Sequence, residues 1–96
     1  MKTSITVRHT DVPDELKARA SELLDKLAKK AHRPQRAKII FDADHGECIV
    51  EIELRLARSQ VKVAKAGASD FRTALDLVIA KLAHQLDRGT TSAVRE

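Results

Sequence analysis

Hydrophobic and polar residues alternate along Lys2 to Arg8, with Thr3, Ile5 and Val7 on one side and Lys2, Ser4, Thr6 and Arg8 on the other. A period of two predicts a half-buried strand. The period then changes. Leu16, Ala20, Leu23, Leu24, Leu27, Ala28 and Ala31 fall on one stripe at about 3.6 residues per turn, which predicts an amphipathic helix. Pro13, with Asp14 and Glu15 beside it, suits the first turn, where the helix's partial positive charge favours acids. The helix is expected to reach about His32, because Pro34 disfavours helical geometry in the residue before it.

A second strand is expected over Arg36 to Asp42, on the run Ile39, Ile40, Phe41, followed by the turn residues Asp44, His45 and Gly46. Strand three, Glu47 to Leu56, alternates almost strictly. Cys48, Val50, Ile52, Leu54 and Leu56 share one face, and Glu47, Ile49, Glu51, Glu53 and Arg55 the other. A fourth strand covers Val61 to Ala66 and is closed by Gly67; either Val61 and Val63 or Ala64 and Ala66 can face inward. Ser69 or Asp70 caps a second helix with the stripe Phe71, Ala74, Leu75, Val78, Ile79, Leu82 and Leu86. This helix is expected to reach about Arg88 and to stop at Gly89. The order β-α-β-β-β-α predicts an α/β two-layer sandwich of the α+β kind, with two helices on one face of a four-stranded, mainly antiparallel sheet. Residues 1–89 read as a single domain and 90–96 as a flexible C-terminal tail.

Composition narrows the picture. A chain of 96 residues, 43% hydrophobic and 33% charged, is one folded domain with no room for a second. Phe41 and Phe71 are the only aromatics, so the core is aliphatic and no platform for stacking bases is expected. A lone cysteine, Cys48, can make no internal disulfide, and Met1 to Arg8 does not resemble an apolar leader, so a cytoplasmic setting is expected. No run approaches the roughly 18 apolar residues a bilayer span needs, and no membrane partner is expected.

Catalytic and metal chemistry find little support. His45 and Cys48 are the only local pair with ligand character, and strand alternation turns Cys48 inward, so neither metal nor cofactor is expected. Glu51 and Glu53 share a strand face, but it is the exposed one, where pairing with Lys38, Lys62 or Lys65 is the simpler account. No glycine-rich phosphate loop, nucleophile elbow or cysteine–histidine pair at a spacing suggestive of catalysis is present. An enzyme is not expected.

Charge changes the picture more. Eighteen Lys and Arg stand against 14 Asp and Glu, for a net charge of +4. The excess is local. Lys26, Lys29, Lys30, Arg33, Arg36 and Lys38 fall within thirteen residues that contain no acid. Lys29, Lys30 and Arg33 gather at the end of the first helix, where cations also complement the helix dipole. Lys81, His84 and Arg88, spaced by three and four, make a second basic line on the other helix. Two basic lines without a surface aromatic point to phosphate and shape recognition of folded RNA.

The second helix, DFRTALDLVIAKLAHQL from Asp70 to Leu86, resembles the closing signature of the ribosome hibernation promoting factor and ribosome-associated translation inhibitor family, short form. An acid opens that helix, and the triplet Ala74, Leu75, Asp76 leads to the pair Lys81, Leu82. The strand VKVAKAGASD before it, the Ile5-Thr6 opening, the acid-Val-Pro helix start, Leu16 and the pair Lys26-Leu27 are similar to the family as well. The resemblance spans Ile5 to about Arg88. It implies a bacterial factor that binds the small ribosomal subunit, through its 16S-type rRNA, near the decoding centre. Messenger and transfer RNA would be blocked there, and translation inhibited in stationary phase or stress. By resemblance, Lys26, Lys81 and the basic positions filled by His84 and Arg88 are the expected rRNA contacts. Lys29, Lys30, Arg33 and Lys65 join them from the charge pattern alone. A free monomer is expected, with any ribosome-dimerising protein supplied separately.

Two other readings share these residues. A general module for structured RNA would use the same cations on a different target. A protein-interaction domain would use the exposed sheet face, on the strength of Ile49 among charges and Leu77 on the outer side of the second helix.

Overall fold

The computed structural model describes residues 1–31 and 33–95, the side chains of 87–95 excepted. Strand β1 (Lys2–Arg8) leads into helix α1 (Asp14–Ala28), then strands β2 (Pro34–Asp44) and β3 (Glu47–Leu56), a short 3-10 turn at Ala57–Ser59, strand β4 (Val61–Ala68) and helix α2 (Phe71–Arg95). The strands lie in the order β1-β2-β3-β4. Strand β1 runs parallel to β2, whereas β2–β3 and β3–β4 are antiparallel. This is the expected two-layer sandwich.

The hairpin between β2 and β3 shows how local chemistry sets register. Asp44 pairs with Glu47, and His45 and Gly46 between them have φ of 50° and 79°. Two positive φ values define the two-residue turn whose twist matches that of the flanking strands. The resulting register turns Val50, Ile52, Leu54 and Leu56 inward against Ala37, Ile39 and Phe41. Leu24 and Leu27 of α1 and Ala74, Leu75, Val78 and Leu82 of α2 close the core from above. Phe41 and Phe71 meet edge to face, with ring centroids 5.8 Å apart, a favoured aromatic geometry.

Five boundaries differ from expectation, and one is that of β2, which runs Pro34–Asp44 rather than Arg36 to Asp42 because the ladder with β3 pairs Pro34 with Leu56 and Asp44 with Glu47. Helix α1 ends at Ala28, short of His32. The amides of Lys30 and Ala31 donate to Leu27 and Ala28 carbonyls three residues back, a tightened last turn that frees the chain to enter β2 at Pro34. Pro13 is the N-cap rather than a first-turn residue. Strand β4 runs through Gly67 to Ala68, with Gly67 facing Ile49 across the ladder. Helix α2 does not stop at Gly89, since an internal glycine disfavours a helix by only about 1 kcal/mol. The backbone of 90–95, expected as a tail, continues α2; the side chain of Arg88, those of 90–95 and residue 96 lie outside the described residues.

The open parity of β4 is settled in favour of the alanines. Ala64 and Ala66 are 4% and 5% exposed, against 41% and 43% for Val61 and Val63. Small residues let α2 come close, and two of its side chains reach the β4 backbone. The Lys81 ammonium donates to the Lys65 carbonyl at 2.9 Å and the Gln85 amide to the Val63 carbonyl at 2.7 Å. Outward-facing carbonyls of an edge strand are thereby covered.

Candidate nucleic-acid interface

The topology fixes where charge collects. Because β1 and β2 are parallel, α1 must run back along the sheet, and α2, following β4, starts at the same end as α1. Arg19 of α1 bonds Asp76 of α2 at 3.3 Å, and Pro13, Glu15, Leu16, Arg19 and Arg72 line one depression between the helix starts. The helices therefore run side by side in the same direction, and both C-terminal halves point to one pole of the molecule. Met1, Asp25, Ala28, Lys29, Ala31 and Pro34 line a depression there. The Ala57 amide donates to the Arg33 carbonyl at 3.1 Å, which brings the end of β3 to the same place.

Sequence-distant cations meet at this pole: Lys2, Lys26, Lys29, Lys30, Arg33, Arg36, Arg55 and Arg58, all exposed. The other pole is acidic. Asp11, Asp14 and Glu15 stand at the start of α1, Asp42, Asp44 and Glu47 flank the hairpin, and Asp70 opens α2. Helix α1 thus has acids at its positive end and Lys26 at its negative end. The modest net charge of +4 is the small remainder of a strongly polar distribution.

The seven expected contact residues whose side chains are described do not form one patch. Arg19 marks the side of α1 that faces α2, and Lys26 follows it by seven residues, on the same side of the helix; Lys30 lies past the helix end, in the tightened turn. Seven residues carry either helix about 10 Å, so Lys26 is level with Ala83 and His84. His84 lies on the exposed crest of α2. Lys29 and Arg33 sit at the pole itself, and Arg33 has a left-handed backbone with φ of 51°. Among the described residues, Lys26, Lys29, Lys30 and Arg33 have no ion-pair partner. Lys81 lies on the opposite flank of α2 from Asp76, with its ammonium tied to the β4 edge. Lys65 alternates with the buried Ala64 and Ala66, so its side chain is on the sheet face that carries no helix.

The other singled-out residues are placed as follows. Glu51 opposes Lys65 and Lys38 opposes Glu53 in the ladders, the cross-strand pairing expected from the sequence; Lys62 instead faces the helix side, opposite Leu54. His45 Nδ1 is 2.7 Å from Asp44 at the hairpin tip, and the half-buried Cys48 turns its thiol toward the Ser69 carbonyl at 3.7 Å. Ile49 is half-buried, and Leu77 is 45% exposed. Arg55 was not singled out in the sequence, and Arg36 only as a member of the cation run. Positions 36 and 55 oppose each other only through the register after a bulge at Gln35, a relation with no trace in linear spacing.

Two carboxylates are held below their ordinary range. Asp70 is lowered first by the Thr73 backbone N–H and then by the Thr73 hydroxyl, at 2.7 and 3.0 Å. Asp42 is lowered chiefly by its 2.9 Å hydrogen bond with His9, assisted by the Ala43 amide. Both stand at the acidic pole, away from the cations.

No described helix is long and apolar enough to cross a membrane. No curated protein sequence matches the chain closely enough to count as a relative. Solved structures do. A ribosomal subunit interface protein from Coxiella burnetii is similar, with a TM-score of 0.77 and 23% identity over 95% of this chain and 99% of that one. The N-terminal domain of Thermus thermophilus Protein Y gives a TM-score of 0.77 and 17% identity, over 92% and 98%. At such identities the likeness speaks for the fold. The profile described as sigma 54 modulation protein / S30EA ribosomal protein matches residues 3–92, nearly the whole length, and the chain belongs to that ribosome-associated family.

Proposed function

We propose that the protein is a ribosome hibernation factor that binds the small ribosomal subunit through rRNA phosphates near the decoding centre, blocks messenger and transfer RNA, and inhibits translation in stationary phase or stress. The family match over residues 3–92 carries this reading. The clustered cations support it: Lys26 and His84 on the helix layer, with Lys29, Lys30 and Arg33 at the pole, offer point charges and guanidinium forks to a folded phosphate surface. Lys81, Lys65 and Arg88 complete the proposed contact set. Lys81 would exchange its bond to the Lys65 carbonyl for a phosphate.

The reading needs no metal, cofactor or catalysis, because occupancy of the RNA path is itself the inhibitory act. It places the protein in the cytoplasm as a free monomer, and any pairing of ribosomes would fall to a separate protein. The test is cell-free translation. Added protein should reduce product formation in proportion to occupied small subunits, and Lys26→Glu with Lys30→Glu should restore it. Full translation at saturating protein would overturn the proposal. Equal competition by free duplex RNA for the same surface would favour the general RNA-binding module.

A further inference from the structure

The sheet face without helices has its own charge pattern. Four rows of outward side chains cross it. Arg8, Asp42, Ile49 and Gly67 form one row, and Thr6, Ile40, Glu51 and Lys65 the next. Each holds one cation and one acid. So does the third, where Lys38 opposes Glu53 between Ser4 and Val63. The last row breaks the rule. Lys2 pairs with Arg36, and Arg36 with Arg55, which sets three cations side by side on three strands with no acid among them.

Like charges directly opposite one another destabilise a sheet, so this row raises the energy of the free protein and is relieved by an anion. Neighbouring strands are about 4.8 Å apart, and the row therefore spans roughly 10 Å. One monovalent ion could neutralise only part of it. Arg55 leans toward Glu53 at 3.5 Å, a distance near the limit of an ion pair, and Arg36 lines two adjoining depressions with Ser4. Two guanidinium forks suit phosphate oxygens in particular.

We infer that the row Lys2, Arg36, Arg55, on the face opposite the helices, is a second site for the phosphodiester backbone of a single RNA strand. It lies at the same pole as Lys29 and Arg33, so a strand leaving the helix layer can continue around the pole onto the sheet. With no aromatic on this face, it binds the backbone without reading bases. The inference rests on the ribosome-binding reading only for the choice of RNA as the polyanion.

The experiment uses a fluorescently labelled oligouridylate and the full chain, with anisotropy read across a salt series. Neutralising each phosphate on a single strand contributes about 0.7 to the slope of log K against log salt. Arg36→Glu with Arg55→Glu should lower that slope by about 1.4 and weaken low-salt binding at least tenfold, whereas Lys26→Glu with Lys30→Glu should leave much of it. Arg36→Gln with Arg55→Gln serves as the neutral pair that removes the repulsion without reversing it, and cooperative melting of this pair shows that any loss of binding comes from a folded chain. Unchanged affinity and slope in the folded sheet variants would overturn the site. Failure of the unaltered protein to bind oligouridylate would overturn it too, while leaving ribosome sedimentation free to succeed. Equally tight binding of polyglutamate would overturn the assignment of RNA.

Discussion

Asp70 holds the first turn of α2 with both carboxylate oxygens, one on the Thr73 amide and one on its hydroxyl. Its lowered pKa follows from accepting those bonds as an anion. A carboxyl whose pKa is lower in the folded chain stabilises the fold above its unfolded value, near pH 4, and loses that contribution as pH falls through the folded value. Asp42 behaves alike through His9. The melting temperature should therefore fall as pH drops from about 4 toward 2. Asp70→Asn should flatten part of that fall, and Asp70→Ala should lower the melting temperature at neutral pH as well, both read by circular dichroism melts. An acid limb of the same steepness in Asp70→Asn would remove Asp70 from the account. The cap was legible from an acid just before an apolar stripe; the His9–Asp42 bond, between residues 33 positions apart, was not.

At the scale of elements, the α2–β4 seam joins burial to edge protection. Leu82 is fully buried in the core, and Leu82→Ala should cost about 2–5 kcal/mol in urea denaturation. Lys81 and Gln85 cover the Val63 and Lys65 carbonyls from the same helix. Replacing both by Ala should speed amide exchange in β4 and promote self-association, with smaller effects on global stability; exchange rates in β4 equal to those of the unaltered chain would contradict the covering role. Strand β3 was fully legible because its two faces differ in chemistry at nearly every step. The end of α1 was not: Ala31 continues the stripe, and only the need to reach Pro34 stops the helix early. The parity of β4 was illegible for a related reason. Valine and alanine are both apolar, and the choice is made by the close approach of α2.

Across the whole molecule, parallel helices and a sheet that begins and ends its strands at shared poles turn scattered charges into a dipole of function and fold. The cation run after Lys26, Arg36 included, was visible in the sequence, but Lys2 and Arg55 join it only through two strand registers. The family resemblance also grouped Lys81 with Lys26, whereas the fold puts Lys81 on the β4 side of α2, the flank away from α1. Reversing Lys26, Lys29 and Lys30 to Glu should weaken small-subunit binding and reduce its salt dependence without unfolding the chain, because these side chains are exposed. Retained binding by a folded triple variant would move the contact surface elsewhere. The most direct measurement is sedimentation of the unaltered protein with vacant small ribosomal subunits through sucrose gradients at several salt concentrations. The account predicts co-migration at low salt and progressive release as salt rises. Protein that stays at the top of the gradient at low salt would contradict it.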